Sequence, residues 1–96
     1  METFKIKGTL AEKMDVRSGQ SSRGEWKRQQ FIVEVTSGEY TDPVAFDAWG
    51  EAVDALEEIA EGSAVQVTFT VRSRWWQDRW FTDVNAVAIE EQDLPF

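Results

Sequence analysis

Apolar and polar residues alternate from Thr3 to Lys13, with Phe4, Ile6 and Leu10 on one side and Thr3, Lys5, Lys7 and Thr9 on the other. This pattern predicts a strand with one buried face, bent near Gly8. Residues 17–24 carry no apolar side chain and two glycines, the composition of a mobile loop. Alternation returns from Trp26 to Val35. Phe31, Val33 and Val35 point one way and Trp26, Arg28, Gln30 and Glu34 the other, with Ile32 breaking the polar side. This is a second predicted strand. A turn over Ser37-Gly38-Glu39 leads to a third, in which Val44, Phe46 and Ala48 alternate with Ala45, Asp47 and Trp49.

From Gly50 to Glu61 the period becomes helical. Ala52, Val53, Leu56, Ile59 and Ala60 recur at spacings of three and four, opposite Glu51, Asp54, Glu57, Glu58 and Glu61. Gly62 supplies the stop expected just beyond a helix. Val65, Val67, Phe69 and Val71 form the inward side of a fourth strand, a loop rich in arginine and tryptophan spans 72–79, and a fifth strand runs from Trp80 to about Glu90. Three strands, a helix and two strands is the element order of the OB fold. That fold is an all-β, five-stranded Greek-key barrel, here with one helix between strands three and four. Its strands two and three, with loops 1-2 and 4-5, hold oligonucleotides. Another small barrel would share the order.

Ninety-six residues, 42% of them hydrophobic and five of them Trp, predict one folded unit: a domain over 1–90 and an acidic end over 91–96. The charged start and the lack of a long apolar run speak for a cytoplasmic protein and against a membrane partner. With no Cys and no His, disulfides, thiolate chemistry and the usual general base are excluded, and neither metal nor cofactor is expected. Carboxylates such as Glu57, Glu58 and Glu61, or Asp42 and Asp47, are read as solvated rather than metal-binding.

The formal charge of −8 argues against a nucleic-acid partner until its distribution is considered, because phosphate binding draws on Lys and Arg. Residues 1–28 carry seven basic and four acidic side chains, 29–71 none and nine, 72–79 three and one, and 80–96 none and four. Two basic segments flank an acidic middle, as if one basic surface sat on a repelling body. Arg17, Arg23, Lys27 and Arg28 fall in loop 1-2 and the start of strand two; Arg72, Arg74 and Arg79 fall in loop 4-5. Trp26 accompanies the first group, and Trp75, Trp76 and Trp80 the second. Cations for phosphates beside rings for unpaired bases suit a single strand, whereas a duplex hides its base faces. The same residue types also suit a dimer contact. Phe4, Phe31, Phe46 and Phe69 are assigned to the core. Trp49 lies opposite Phe46 beside Gly50, where both the outer face and the underside of the helix are open to it.

The chain closes on Glu90-Glu91-Gln92-Asp93-Leu94-Pro95-Phe96. Pro95 lacks a donor and fixes its φ, so this segment suits a partner with a basic rim and an apolar pocket better than it suits a sheet. The run Val44-Ala45-Phe46-Asp47-Ala48-Trp49-Gly50-Glu51, then Glu61-Gly62-Ser63, then Val71 to Val84 through Arg72-Ser73-Arg74-Trp75-Trp76-Gln77-Asp78-Arg79-Trp80, resembles the second half of bacterial single-stranded DNA-binding proteins. Ser22-Arg23-Gly24-Glu25-Trp26-Lys27 also resembles a family of small bacterial OB-fold proteins with a similar Gly-Glu-Trp segment and a similar end. The resemblance spans residues 15–96. It implies binding of single-stranded DNA, with Trp76 in the place of a stacking tryptophan. It also implies homo-oligomers, and recruitment of replication and repair proteins by Asp93, Leu94, Pro95 and Phe96. One departure is that the fifth strand runs almost to Asp93, without the long flexible linker of the well-known proteins, so the end has little reach. The rival expectation is an OB-fold protein-interaction module of a replication or repair complex, and an enzyme is the least supported, since nothing supplies a nucleophile with its base.

Overall fold

The computed structural model describes residues 2–92 in six strands and one helix. They are β1 (Phe4–Lys13), β2 (Arg17–Ser21), β3 (Gly24–Ser37), β4 (Tyr40–Trp49), α1 (Glu51–Glu57), β5 (Ala64–Trp76) and β6 (Arg79–Glu91). The sheet order is β1-β5-β6-β4-β3-β2, and β1 pairs back onto β3. Five strands therefore close into a barrel, with β2 added as a sixth strand on the edge of β3. All ladders are antiparallel except β4–β6, which is parallel and two pairs long: Asp47 with Asn85, Ala48 with Ala86. This is the OB fold that the element order predicts.

Closure depends on β1 serving two partners. Phe4 to Thr9 pair with Phe69 to Ala64 of β5, and Thr9 to Lys13 pair with Glu34 to Phe31 of β3 across a bulge between Leu10 and Glu12. Gly8 stands one residue before that change of partner. A methyl group there would lie 2.4 Å from the Glu34 carbonyl oxygen and 2.6 Å from Val33 Cγ1, so glycine lets the two backbones approach.

The inward alternation then fills the barrel. Leu10, Phe31, Val33, Phe46, Val65 and Val67 are fully buried, each stabilising the fold by about 1.5–3 kcal/mol relative to an exposed position. Phe31 and Phe46 are register partners with stacked rings 5.4 Å apart, and Phe46 meets Phe69 edge-on at 5.3 Å. Seven residues make a helix too short to persist alone. Burial of Ala52, Val53 and Leu56 seats α1 on the barrel, and Lys13 Nζ donates to the carbonyls of Leu56 (3.3 Å) and Ile59 (2.8 Å) at its end.

Four local expectations are corrected. Residues 17–21 form a strand rather than a mobile loop, joined to β3 by a turn at Ser22-Arg23. Residues 72–79 are not a loop either: β5 and β6 stay paired from Val71–Val84 to Trp76–Arg79 and turn within Gln77-Asp78. The helix stops at Glu57 instead of Glu61. Ile59 still reaches the core, and the Gly62 N–H donates to the Leu10 carbonyl at 2.7 Å, tying the following turn to β1. Phe4 is half exposed, at the start of β1, with its ring 5.9 Å from that of its register partner Phe69. Overrunning hairpins give the molecule extents of 49 × 32 × 24 Å. Among the described residues no helix is long and apolar enough to cross a membrane.

Candidate nucleic-acid interface

Strand parity decides which side chains share the outer side of the barrel. In β3, Gln29, Phe31 and Val33 point inward, so Trp26, Arg28 and Gln30 point outward. In β4, Phe46 and Ala48 point inward, which sends Asp47 and Trp49 outward. Arg28 is opposite Arg17 on one flank and Trp49 on the other. Of the two positions left open to Trp49, it therefore takes the outer face. The Trp26 and Trp49 rings lie 6.3 Å apart, tilted by 50°, and the Arg28 guanidinium sits 5.5 Å from the Trp49 ring centre. Arg17, Trp26, Arg28 and Trp49 wall a shallow cleft of about 460 Å³. Ser18, Gln20, Glu25 and Gly50 help to line an adjoining one of about 600 Å³ against the same two indoles.

Both indoles are held. Trp26 lies across the strand from Gly19, where a Cβ would be 2.7 Å from Trp26 Cζ2, so the missing side chain is what lets the ring lie flat on β2. Trp49 Nε1 donates to Asn85 Oδ1 of β6 at 3.2 Å. That bond also joins this cluster to the neighbouring strands, since Asn85 is the register partner of Thr70 on the outer side of β5.

Further along the β5–β6 hairpin the outer side carries Arg72 opposite Asp83, Arg74 opposite Phe81 and Trp76 opposite Arg79. The guanidinium groups of Arg74 and Arg79 lie 5.9 and 5.1 Å from the Phe81 ring centre. The other side of the hairpin continues the inward face beyond the barrel, through Val71 and Val84, then Ser73 and Thr82, to Trp75 and Trp80. The last two meet edge to face at 5.4 Å, both largely exposed.

The structure thus brings Arg17, Trp26, Arg28 and Trp49 together. It carries the same side of the sheet onward to Arg72, Arg74, Trp76 and Arg79. It separates most of the remaining residues from them. Trp75 and Trp80 occupy the opposite side of the hairpin, and Arg23 sits in the turn at the tip of β2–β3. Lys27 has the inward parity of β3 and is ion-paired with Asp54 of α1, yet it lines the larger cleft together with Trp26 and Trp49. Residues 93–96, with the sequence-predicted partner-binding end, lie outside the described residues. β6 itself runs to Glu91, and the Gln92 N–H donates to the Ala64 carbonyl at 2.8 Å. Sequence reasoning passed over Gly19, Phe81 and Asn85. Parity would have found the last two, because both alternate with Arg79 and Asp83. Among the described residues no three His, Cys, Asp or Glu side chains group closely enough to hold a metal ion.

A closed five-stranded barrel with its helix between the third and fourth barrel strands places the chain among OB-fold proteins. The family described as "Domain of unknown function (DUF3127)" matches residues 5–90, and the protein belongs to that family. No curated protein sequence matches it. Among solved structures it is similar to a mitochondrial single-stranded DNA-binding protein from S. cerevisiae, with TM-score 0.69, 11% identity and 94% of each chain covered. It is also similar to the single-stranded DNA-binding protein from Thermus aquaticus, with TM-score 0.69 and 20% identity, where the match covers 99% of this chain and 42% of that one. The N-terminal domain of a PriB protein from Thermoanaerobacter tencongensis, described as dimeric, aligns with TM-score 0.67 and 18% identity over 96% of this chain and 97% of its own. At these identities the likeness is one of fold.

Proposed function

We propose that the protein is a non-catalytic, sequence-tolerant binder of single-stranded DNA acting in the cytoplasm, in replication, repair or recombination. The observation that carries this reading is the pair of half-exposed indoles, Trp26 and Trp49, lining one cleft on the outer face with Arg17 and Arg28. Rings fixed in that way accept the face of any unpaired base, and the adjacent guanidinium groups accept the phosphates on either side. The arginines of the β5–β6 hairpin and Trp76 extend the path along the same side of the sheet. The fold shared with single-stranded DNA-binding proteins supports the assignment without supplying it.

The test is a titration with oligo-dT at two salt concentrations, read by intrinsic fluorescence. Quenching that weakens with salt is the expected result; unchanged fluorescence at low salt refutes the reading and favours the protein-interaction module. For the end of the chain we assign a recruiting role to Asp93, Leu94, Pro95 and Phe96. Removal of Leu94 to Phe96 leaves oligonucleotide binding intact or slightly stronger while capture of repair enzymes from lysate is lost, and an unchanged capture refutes that role. Val71, Trp75 and Trp80, exposed on the far side of the hairpin, favour a homo-oligomer that covers them. Sedimentation of the parent against Trp75→Ala and Trp80→Ala tests it.

A further inference from the structure

On the outer face, two of the arginines that the single-strand reading assigns to phosphates are already engaged by carboxylates of the same chain. Arg28 donates from Nε (3.3 Å) and Nη2 (3.1 Å) to Asp47 Oδ1, and Arg74 donates from Nη1 to Asp83 Oδ2 at 3.4 Å. Asp47 is the better sheltered, with 15% of its side chain exposed against 44% for Arg28. Asp83 also stands directly across the hairpin from Arg72, so one carboxylate lies between two cationic positions on one side. A carboxylate and a phosphodiester are both oxyanions that ask the same forked donor for the same bonds.

We infer that Asp47 and Asp83 are built-in competitors for the DNA backbone, occupying Arg28 and Arg74 in the free protein and yielding them to phosphates when a strand binds. The inference rests on the single-strand reading and deepens it by naming what limits its affinity. Placement supports it. The Arg28 guanidinium lies 5.5 Å from the centre of the Trp49 ring, so a base settling against that indole brings its own phosphate within reach of the group Asp47 holds. Each phosphate contact then exchanges one ion pair for another, which lowers the net gain and makes release easy. The carboxylates also bar anions that bring no base to stack, because such ligands have only the exchange to offer.

An unpaired carboxylate provides the control. Glu39 is exposed in the turn between β3 and β4 and is in no ion pair among the described residues. Glu39→Gln removes the same formal charge as Asp47→Asn or Asp83→Asn without freeing a cation beside the indoles.

The experiment measures oligo-dT affinity over a series of salt concentrations for the parent, Asp47→Asn, Asp83→Asn, both together, and Glu39→Gln, with a thermal melt of each. Asp83 lies on the hairpin beyond the barrel, so its substitution leaves the core untouched and keeps the test open if Asp47→Asn folds poorly. Each outer-face variant is expected to bind about two- to fivefold tighter at low salt, the range of an exposed ion pair. The slope of log K against log salt should steepen by up to about 0.7 for each arginine released. Glu39→Gln should leave that slope in place. Outer-face variants that bind no tighter, or a gain matched by Glu39→Gln, overturn the competition; weaker binding by Asp47→Asn does so too, by making Asp47 a support for Arg28. A parent that fails to bind oligo-dT sinks the single-strand reading itself, whereas a binding parent with unimproved variants leaves that reading standing.

Discussion

The two tryptophan-bearing regions of this barrel are built in opposite ways. On β3 and β4, Trp26 and Trp49 are 40% and 47% exposed; on the β5–β6 hairpin, Trp75, Trp76 and Trp80 are 56%, 62% and 66% exposed. In the first pair, Trp26 rests on Gly19 and Trp49 is anchored by a hydrogen bond to Asn85. The hairpin rings stand on two strands that have left the barrel, with Trp75 and Trp80 supported by each other. A platform fixed before the ligand arrives loses little entropy on binding, while an arm without a core beneath it must be ordered by the ligand. In the proposed complex the β3–β4 surface therefore supplies stacking, and the hairpin supplies charge and reach.

The sharpest way to break this contrast is to strip the hairpin of its cations. Arg72, Arg74 and Arg79 changed together to Ala should flatten the dependence of log K on log salt by up to about 2, at roughly 0.7 per lost contact on a single strand. Trp26→Ala should leave the slope nearly as it was and cost about 1–3 kcal/mol of affinity, the range known for stacked bases in single-strand binders. Trp75→Ala, on the side away from the arginines, should cost less than about 0.5 kcal/mol of affinity when compared in the parent's oligomeric state, being outside the proposed path. Anisotropy of a labelled oligo-dT measures all three without relying on the indoles removed. A triple variant with an unchanged slope takes the hairpin out of the interface, and a Trp75→Ala defect as large as that of Trp26→Ala erases the distinction between the two regions.

A subtler change tests whether preorganisation matters. Gly19→Ala places a methyl group 2.7 Å from the Trp26 ring, which must lift off β2 while every proposed contact residue is retained. We expect about 1 kcal/mol of lost oligo-dT affinity, the lower end of the stacking range, with the salt slope unchanged. Full affinity would show that the ring need not be held in advance.

The contrast also explains what could be read from the chain alone. The barrel strands were legible because each has one dry side. Phe31, Val33, Phe46, Val65 and Val67 keep a strict period of two, and every one is buried. β2 was hidden because Ser18, Gly19, Gln20 and Ser21 bury nothing of their own; that strand exists as an edge partner of β3 and as the bed of Trp26. The end of the β5–β6 hairpin was hidden for a related reason. Wet on both sides, it has no alternation to display, and its arginines and tryptophans have the composition of a loop. The helix was read too long because Ile59 keeps the helical spacing although it reaches the core from the turn that follows. At the site, residue types pointed to the right chemistry, but three tryptophans near three arginines in sequence divide between two sides of a two-stranded ribbon, and only the register assigns Trp76 to one and Trp75 and Trp80 to the other.

A further expected effect lies at the tip of the hairpin. Gln77 and Asp78 form the two-residue turn with φ of 48° and 66°, the left-handed values that a type I′ turn demands at both central positions and that asparagine and glycine meet with less strain. Gln77→Asn with Asp78→Gly should stabilise the turn by about 0.5–1 kcal/mol. Where that gain appears distinguishes two pictures of the arm. If the hairpin unfolds together with the barrel, the melting temperature rises. If its end opens by itself, the melting temperature stays put and amide exchange slows only between Val71 and Val84. The second outcome is expected, because beyond Val71 and Val84 no side chain of the hairpin is buried. A stiffer arm should then bind oligo-dT slightly tighter, because part of its ordering has been done beforehand. Looser binding would mean that the strained turn is there to keep the arm adaptable.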